Sequence, residues 1–342
     1  MRCLTLADSL RDQGSEIQFV CREHKGHLMK LVAKRGYQVN RLPEPQHDIP
    51  NVETGLAHAS WLGVDWSLDA QQTQKNLSKA SFDWLIVDHY ALDHQWESEM
   101  RSFCSRIMVI DDLADRKHDC DFLLDQNLGK SSEDYRGLVE STVTQCFGPK
   151  FALLNKAYSD FRNRLKVRDG QIKRVLIYFG GGSDAIGLTC ETLRAFMSQS
   201  LLDIHLDIVI GEADKSNRLL QQLTMERGNV ALHSQLPDLA SLMVKADLAI
   251  GAGGSTTWER CALGLPSILI VSAFNQKNIG QAILEAGAAV VLFPNEELCN
   301  QIVDAVLNLR SEKQRYLKIS ERAAEICDGA GAQKISLLLL DC

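Results

Sequence analysis

The chain has 342 residues, 45% hydrophobic and 24% charged, with a formal net charge of −7. This balance excludes a disordered or fibrous chain and leaves room for two ordinary domains. The acidic charge without Lys/Arg clusters excludes a nucleic-acid surface, and no apolar run reaches the length of a bilayer span. With no basic-then-apolar leader pattern, the expected location is the cytoplasm. The ten cysteines are scattered singly, without a CxxC pair, and read as reduced, mostly buried thiols and not as a disulfide framework.

The apolar spacing of Leu4, Leu6, Ala7 and Leu10 predicts a helix that stops at Gln13-Gly14. A strand over residues 17–21 follows at once. The alternation therefore opens on a helix with no strand to feed it. Further on, "DWLIVDHY", "RIMVIDDL", "RVLIYFGGG", "DIHLDIVIG", "ADLAIGAGG", "PSILIVSAF" and "AAVVLF" read as buried strands alternating with amphipathic helices. That is the signature of parallel sheets with crossover helices, an α/β fold. A charged stretch, "FRNRLKVRDGQIKR", separates two such series. It predicts two Rossmann-like lobes, residues 1–165 and 166–342, with a cleft between them. The tail reads as two helices broken at residues 329–331, the final "LLLL" being a buried helix end.

The strongest local signal is "ADLAIGAGGSTTWERCALGLPS". A strand running into Gly251, Gly253 and Gly254, with a helix starting at Ser255 or Thr256, presents backbone N–H groups to a diphosphate. Glu259, one turn inside, can accept hydrogen bonds from both ribose hydroxyls; the plain alternative is a solvated surface acid beside packing glycines. A second glycine run, Gly180, Gly181 and Gly182, leaves another strand; it fits either a ligand approach or an ordinary strand-to-helix turn. Asn275 and Gln276 stand just beyond a buried strand, as sugar or phosphate ligands or as a helix cap. Asp88, His89 and Tyr90 end a strand in the first series, where His89 could be a base and Tyr90 could orient a sugar or water. Asp111, Asp112 and Asp115 invite a metal reading, but no ligand set recurs at metal-site spacing.

Together "MRCLTLADSLRDQG", "WLGVDWSLDAQQT", "LIVDHYALDHQWE", "VIDDLADRKHDCDFLLDQN", "FGPKFALLNKAYSDFR", "FGGGSD", "GAGGSTTWERCALGLPS" and "NQ" resemble one family. It is that of the UDP-sugar hydrolases of pseudaminic acid biosynthesis (PseG type, with spore-coat polysaccharide relatives), which share the two-lobed GT-B fold of MurG. The resemblance implies inverting hydrolysis of UDP-2,4-diacetamido-2,4,6-trideoxy-β-L-altropyranose, with no metal or other cofactor. The freed sugar would serve flagellin or surface-polysaccharide decoration. Gly253, Gly254, Ser255, Glu259 and Asn275 are the implied UDP and sugar contacts; Gly181, Gly182, Thr256 and Gln276 stand with them as candidate contacts from spacing, and Tyr90 is the catalytic candidate. The family's first strand, and the G-x-G-H-x-x-R-C loop carrying its general-base histidine, have no counterpart ahead of Arg2-Cys3. The base is not transferred to His24, His27 or His89, and turnover by the chain as written is expected to be impaired. The rival expectations are a GT-B glycosyltransferase using a UDP-sugar donor and a non-catalytic UDP-sugar-binding protein. The expected partner is a small-molecule nucleotide sugar, with no nucleic acid and no membrane; the sequence implies no oligomeric state.

Overall fold

A computed structural model describes residues 1–45, 56–77, 81–165, 168–180 and 185–341. They form two compact units: residues 1–153 with 333–342, and residues 154–332. The expected boundary at 165/166 falls inside the second unit, and the last helix, Gly331–Asp341, rejoins the first. There the carbonyl of Leu339 accepts a 2.9 Å hydrogen bond from the Trp84 indole N–H.

The first unit carries two parallel sheets. One pairs β1 (Gln18–Arg22) with β2 (Gln38–Leu42). The other runs in chain order through β3 (Phe82–Val87), β4 (Cys104–Ile110), β5 (Phe122–Asp125) and β6 (Thr144–Phe147). The central strands β4 and β5 are near-continuous apolar runs because helices cover both faces of a parallel sheet. Met108 and Phe122 are wholly buried. In β1 and β3, by contrast, most side chains are only half-buried. The helix expected over residues 4–10 spans Arg2–Asp12, and Gly14 takes the left-handed conformation that ends it (φ +92°).

The second unit is one six-stranded parallel sheet of β7 (Arg174–Tyr178), β8 (His205–Val209), β9 (Val230–His233), β10 (Leu248–Ala252), β11 (Ser267–Ile270) and β12 (Val290–Leu292). Its order is β12-β11-β10-β7-β8-β9. The chain winds outward from β7 through β8 and β9, then returns to lay β10 against the other side of β7. This is the doubly wound order, and the strand direction of travel reverses between β7 and β10.

The terminal "LLLL" is not a buried helix end. In the helix Gly331–Asp341, Leu339 is buried while Leu337, Leu338 and Leu340 are 46%, 36% and 49% exposed. Helical periodicity turns only one of four consecutive residues inward at this surface. All nine described cysteines are free, five of them buried. Among the described residues no helix is long and apolar enough to cross a membrane.

Candidate functional site

Ligands of open α/β sheets sit outside the carboxyl ends of the strands where the winding reverses. In the second unit that point is the pair β7 and β10. Strand β7 leads to Gly180, whose φ of +79° requires glycine, and the side of its Cβ is open. Gly181 and Gly182 lie outside the described residues. Strand β10 ends in the second glycine turn, where each glycine has a different reason. A Cβ on Gly251 would lie 2.2 Å from the Tyr178 carbonyl oxygen and 2.6 Å from Arg260 Nη1. One on Gly253 would press on Gln276 at 3.3 Å, while one on Gly254 would meet nothing. Gly251 thus closes strand on strand, whereas Gly254 leaves free space at the turn. Gly251→Ala is expected to destabilise the second unit by about 3 kcal/mol through a backbone clash that cannot relax. Denaturant unfolding checks this; an unchanged midpoint would contradict it.

The helix after the turn, Thr256–Ala262, is seven residues long. Ser255 precedes it in helical conformation, exposed, its hydroxyl making no capping bond, and Thr256 is half-buried. One turn in, Glu259 is no solvated acid: its Oε2 is buried without a hydrogen-bond partner. The Tyr158 hydroxyl stands beside it, also buried and short of hydrogen-bond geometry. Burial pushes the Glu259 carboxyl up to about 7, with Tyr158 and Arg260 pulling the other way and Asp238 adding to the rise. Tyr178, at the end of β7, has its phenol raised by burial and then by Glu259. Arg260 is wholly enclosed, donating to the Ala252 carbonyl at 2.8 Å and to Thr257 Oγ1 at 3.0 Å. Its desolvation, relieved in part by Cys261 and Glu259, brings the guanidinium down to about 10, still a cation at neutral pH.

Beyond β11, Gln276 turns its Oε1 to the Ser272 N–H at 3.2 Å, holding the short turn Phe274–Gln276 against Gly253. The Asn275 side chain lies outside the described part. The structure therefore brings Gly253, Gly254, Ser255, Glu259 and Gln276 to one edge of one sheet. Tyr158, Tyr178, Arg260 and Asp238 were missed in the sequence. Their signal was faint: a tyrosine inside "NKAYSDFR" and an arginine next to the glutamate.

Tyr90 lies in the first unit. With Arg2, Trp61, Asp88 and His89 it lines a cavity of about 150 Å³. Arg2 grips Asp88 at 2.6 Å and Asp112 at 3.0 Å. Burial pushes the Asp88 carboxyl up, but Arg2 outweighs it and holds it below its ordinary range. Burial, then Asp112, lifts the Tyr90 phenol well above its ordinary value. His89 Nδ1 accepts the Ala91 N–H at 3.1 Å, so the neutral ring carries its proton on Nε2 and cannot take one from water there. Burial lowers its pKa, keeping that neutral form. The aspartates after β4 are engaged in pairs, Asp112 with Arg2 and both Asp111 and Asp115 with Arg116. Among the described residues no cluster of His, Cys, Asp and Glu could hold a metal ion.

Residues 176–335 match the glycosyltransferase family 28 C-terminal domain. The Bacillus subtilis spore coat polysaccharide biosynthesis protein SpsG is 24% identical over 200 residues, 57% of each chain. A Sorangium cellulosum UDP-N-acetylglucosamine–N-acetylmuramyl-(pentapeptide) pyrophosphoryl-undecaprenol N-acetylglucosamine transferase is 27% identical over 217 residues, 61% of this chain and 52% of that one. The chain spans about half the length of the curated relatives it matches. Among solved structures, Acinetobacter baumannii MurG superposes with a TM-score of 0.62 at 15% identity, covering 100% of this chain and 95% of that one. The chain has the α/β GT-B-like fold of MurG and related glycosyltransferases, and its residues 176–335 match the family 28 C-terminal domain.

Proposed function

We propose that the chain binds the UDP portion of a nucleotide sugar at the β7/β10 edge of its second unit and acts as a glycosyltransferase-like enzyme on that sugar. One observation carries the reading: Glu259, a carboxylate buried beside the glycine turn at the winding reversal, has an oxygen with no partner. Two ribose hydroxyls donated to it would supply the missing bonds. Gly253, Gly254, Ser255 and Thr256 offer backbone N–H groups to the diphosphate, with Asn275 and Gln276 beside them. In the reaction the bond between the anomeric carbon and the diphosphate oxygen breaks, its electron pair leaving with UDP. An acceptor oxygen bonds to that carbon from the opposite face and gives up its proton. Tyr90, from the first unit, is the proposed contributor to turnover.

Hydrolysis, with water as the acceptor, is a second reading, and the diacetamido-trideoxy sugar donor belongs to it. The cavity at Tyr90 supports it: about 150 Å³ lined by Arg2, Trp61, Asp88, His89 and Tyr90 has room for water or one small ring. Incubating the chain with UDP-N-acetylglucosamine and with the diacetamido donor, each with and without candidate acceptors, separates the readings. UDP release that depends on an acceptor supports transfer, release in water alone supports hydrolysis, and failure to bind UDP at all overturns both. Tyr90→Phe is expected to lower turnover about tenfold or more with UDP affinity unchanged. Equal turnover would remove Tyr90 from the reaction.

A further inference from the structure

An exposed tryptophan borders the cavity of the first unit. Trp61 is 56% exposed, whereas Trp96 and Trp258 are buried and Trp66 and Trp84 half-buried. Single exposed apolar residues are ordinary, but this one belongs to a set. The Trp61 ring lies 4.6 Å from that of His58 and 5.7 Å from that of Tyr90, and His58 lies 5.6 Å from Tyr90, all mutually tilted. Two of the three, Trp61 and Tyr90, line the cavity.

The tryptophan is held where it stands. It sits in the short helical turn Ala59–Leu62, whose last residue is buried in the cluster that contains Ala70 and Trp96. The turn stops at Gly63 (φ +74°), where a Cβ would lie 2.6 Å from Pro45 Cγ and 2.8 Å from His24 Cε1. Leu62 and Gly63 thus pin the turn while Trp61 keeps an open face. An aromatic face fixed in advance loses little freedom when a ligand covers it.

The polar groups beside it narrow the ligand. Arg2 pairs with both Asp88 and Asp112, so two carboxylates meet one guanidinium. The surplus negative charge disfavours a phosphate or a carboxylate. Asp88, partly exposed, has acceptor capacity left for a hydroxyl or an amide N–H, and His89 carries its proton on Nε2 as a donor. About 150 Å³ has room for one six-membered ring. A neutral ring with C–H bonds on one face and hydroxyls around its edge matches this lining, because the C–H hydrogens meet the negative face of the indole.

We propose that Trp61, backed by His58 and Tyr90, is the stacking platform of a pyranose subsite in the first unit and selects a neutral sugar ring by its apolar C–H face. The proposal deepens the nucleotide-sugar reading and rests on it only for where the ring comes from, the donor's own sugar or an acceptor sugar.

The test is acrylamide quenching of tryptophan fluorescence on the full chain, with Trp61→Phe identifying the exposed component. The probes are UDP, UDP-N-acetylglucosamine, the UDP-linked diacetamido-trideoxy sugar, and free N-acetylglucosamine at high concentration with and without UDP. Trp61 is expected to be shielded by a sugar ring and not by UDP alone. Shielding by either nucleotide sugar assigns the donor's ring, and shielding by free N-acetylglucosamine alone assigns an acceptor's; each supports the subsite. Trp61→Ala is expected to weaken the shielding sugar about tenfold with UDP affinity unchanged, and Trp61→Phe to retain most of the affinity. Trp61 open to acrylamide under every sugar would overturn the subsite and, where UDP still binds, leave the nucleotide reading standing. Shielding by the free sugar in a chain that binds no UDP would uphold the subsite and overturn that reading.

Discussion

Asp69→Ala is expected to destabilise the protein by about 3–5 kcal/mol. Asp69 is 4% exposed and Arg22 8% exposed, and the guanidinium reaches Asp69 Oδ2 by Nη2 at 2.5 Å and Nε at 3.1 Å. Oδ1 takes the Trp96 indole N–H at 2.9 Å. Removing the carboxylate strands a buried cation and a buried indole donor together. The remaining anchor of Arg22, the Pro43 carbonyl at 2.9 Å, carries no charge. The loss should be cooperative, because this pair ties β1 to the helix Trp66–Leu77. Replacing both partners, Arg22→Met with Asp69→Leu, should recover much of the stability, since desolvation is then relieved on both sides. Urea unfolding of the single and double variants checks this. A single variant within about 1 kcal/mol of wild type would show that the pair contributes little.

Glu259→Gln is expected to move stability and affinity in opposite directions. The carboxyl titrates near 7 when folded against an ordinary 4.5, so the folded state holds its proton more tightly than the unfolded chain does. Stability from this group is therefore complete below about pH 4.5 and is lost as pH rises through about 7. At pH 8 the ionised carboxylate costs the fold about 1–3 kcal/mol, which the neutral amide relieves; near pH 4 the two proteins should unfold alike. A carboxylate buried at such a cost is consistent with a ligand site. The same substitution should weaken UDP about tenfold to hundredfold, through loss of charge-assisted ribose bonds. Wild-type affinity for UDP-N-acetylglucosamine, whose diphosphate diester does not titrate in this range, should fall about tenfold from pH 8 to pH 6. The Glu259→Gln protein should show no such slope. An unchanged slope would assign the titration to another group.

Much of this architecture was legible in the chain. The glycine turn after β10 stood out because a buried apolar run ending in Gly251, Gly253 and Gly254 has few other uses, and the same pattern placed Glu259 one turn inside the next helix. What could not be read was the environment of that carboxylate. Tyr158 stands 101 positions away in the chain, and only the fold sets it beside Glu259. Strands β2, β5, β6 and β9 escaped notice for a simpler reason. "QVNRL", "TQCF" and "VALH" are too short or too polar to stand out from loops, and "FLLD" is as compatible with helix as with strand. The boundary drawn at 165/166 differs from the compact units, which divide at 153/154, because a charged stretch marks exposure and residues 161–165, only half-buried to exposed, end and follow a helix that packs in the second unit. The helix Arg2–Asp12 at the amino end was visible from the spacing of its apolar residues.

The most direct test of the nucleotide reading is amide hydrogen exchange on the full chain with and without saturating UDP. Slowed exchange confined to the end of β7 and to residues 251–260, and lost in the Glu259→Ala protein, is the expected result. Protection by UDP elsewhere with residues 251–260 unchanged, or no protection at all, would contradict it.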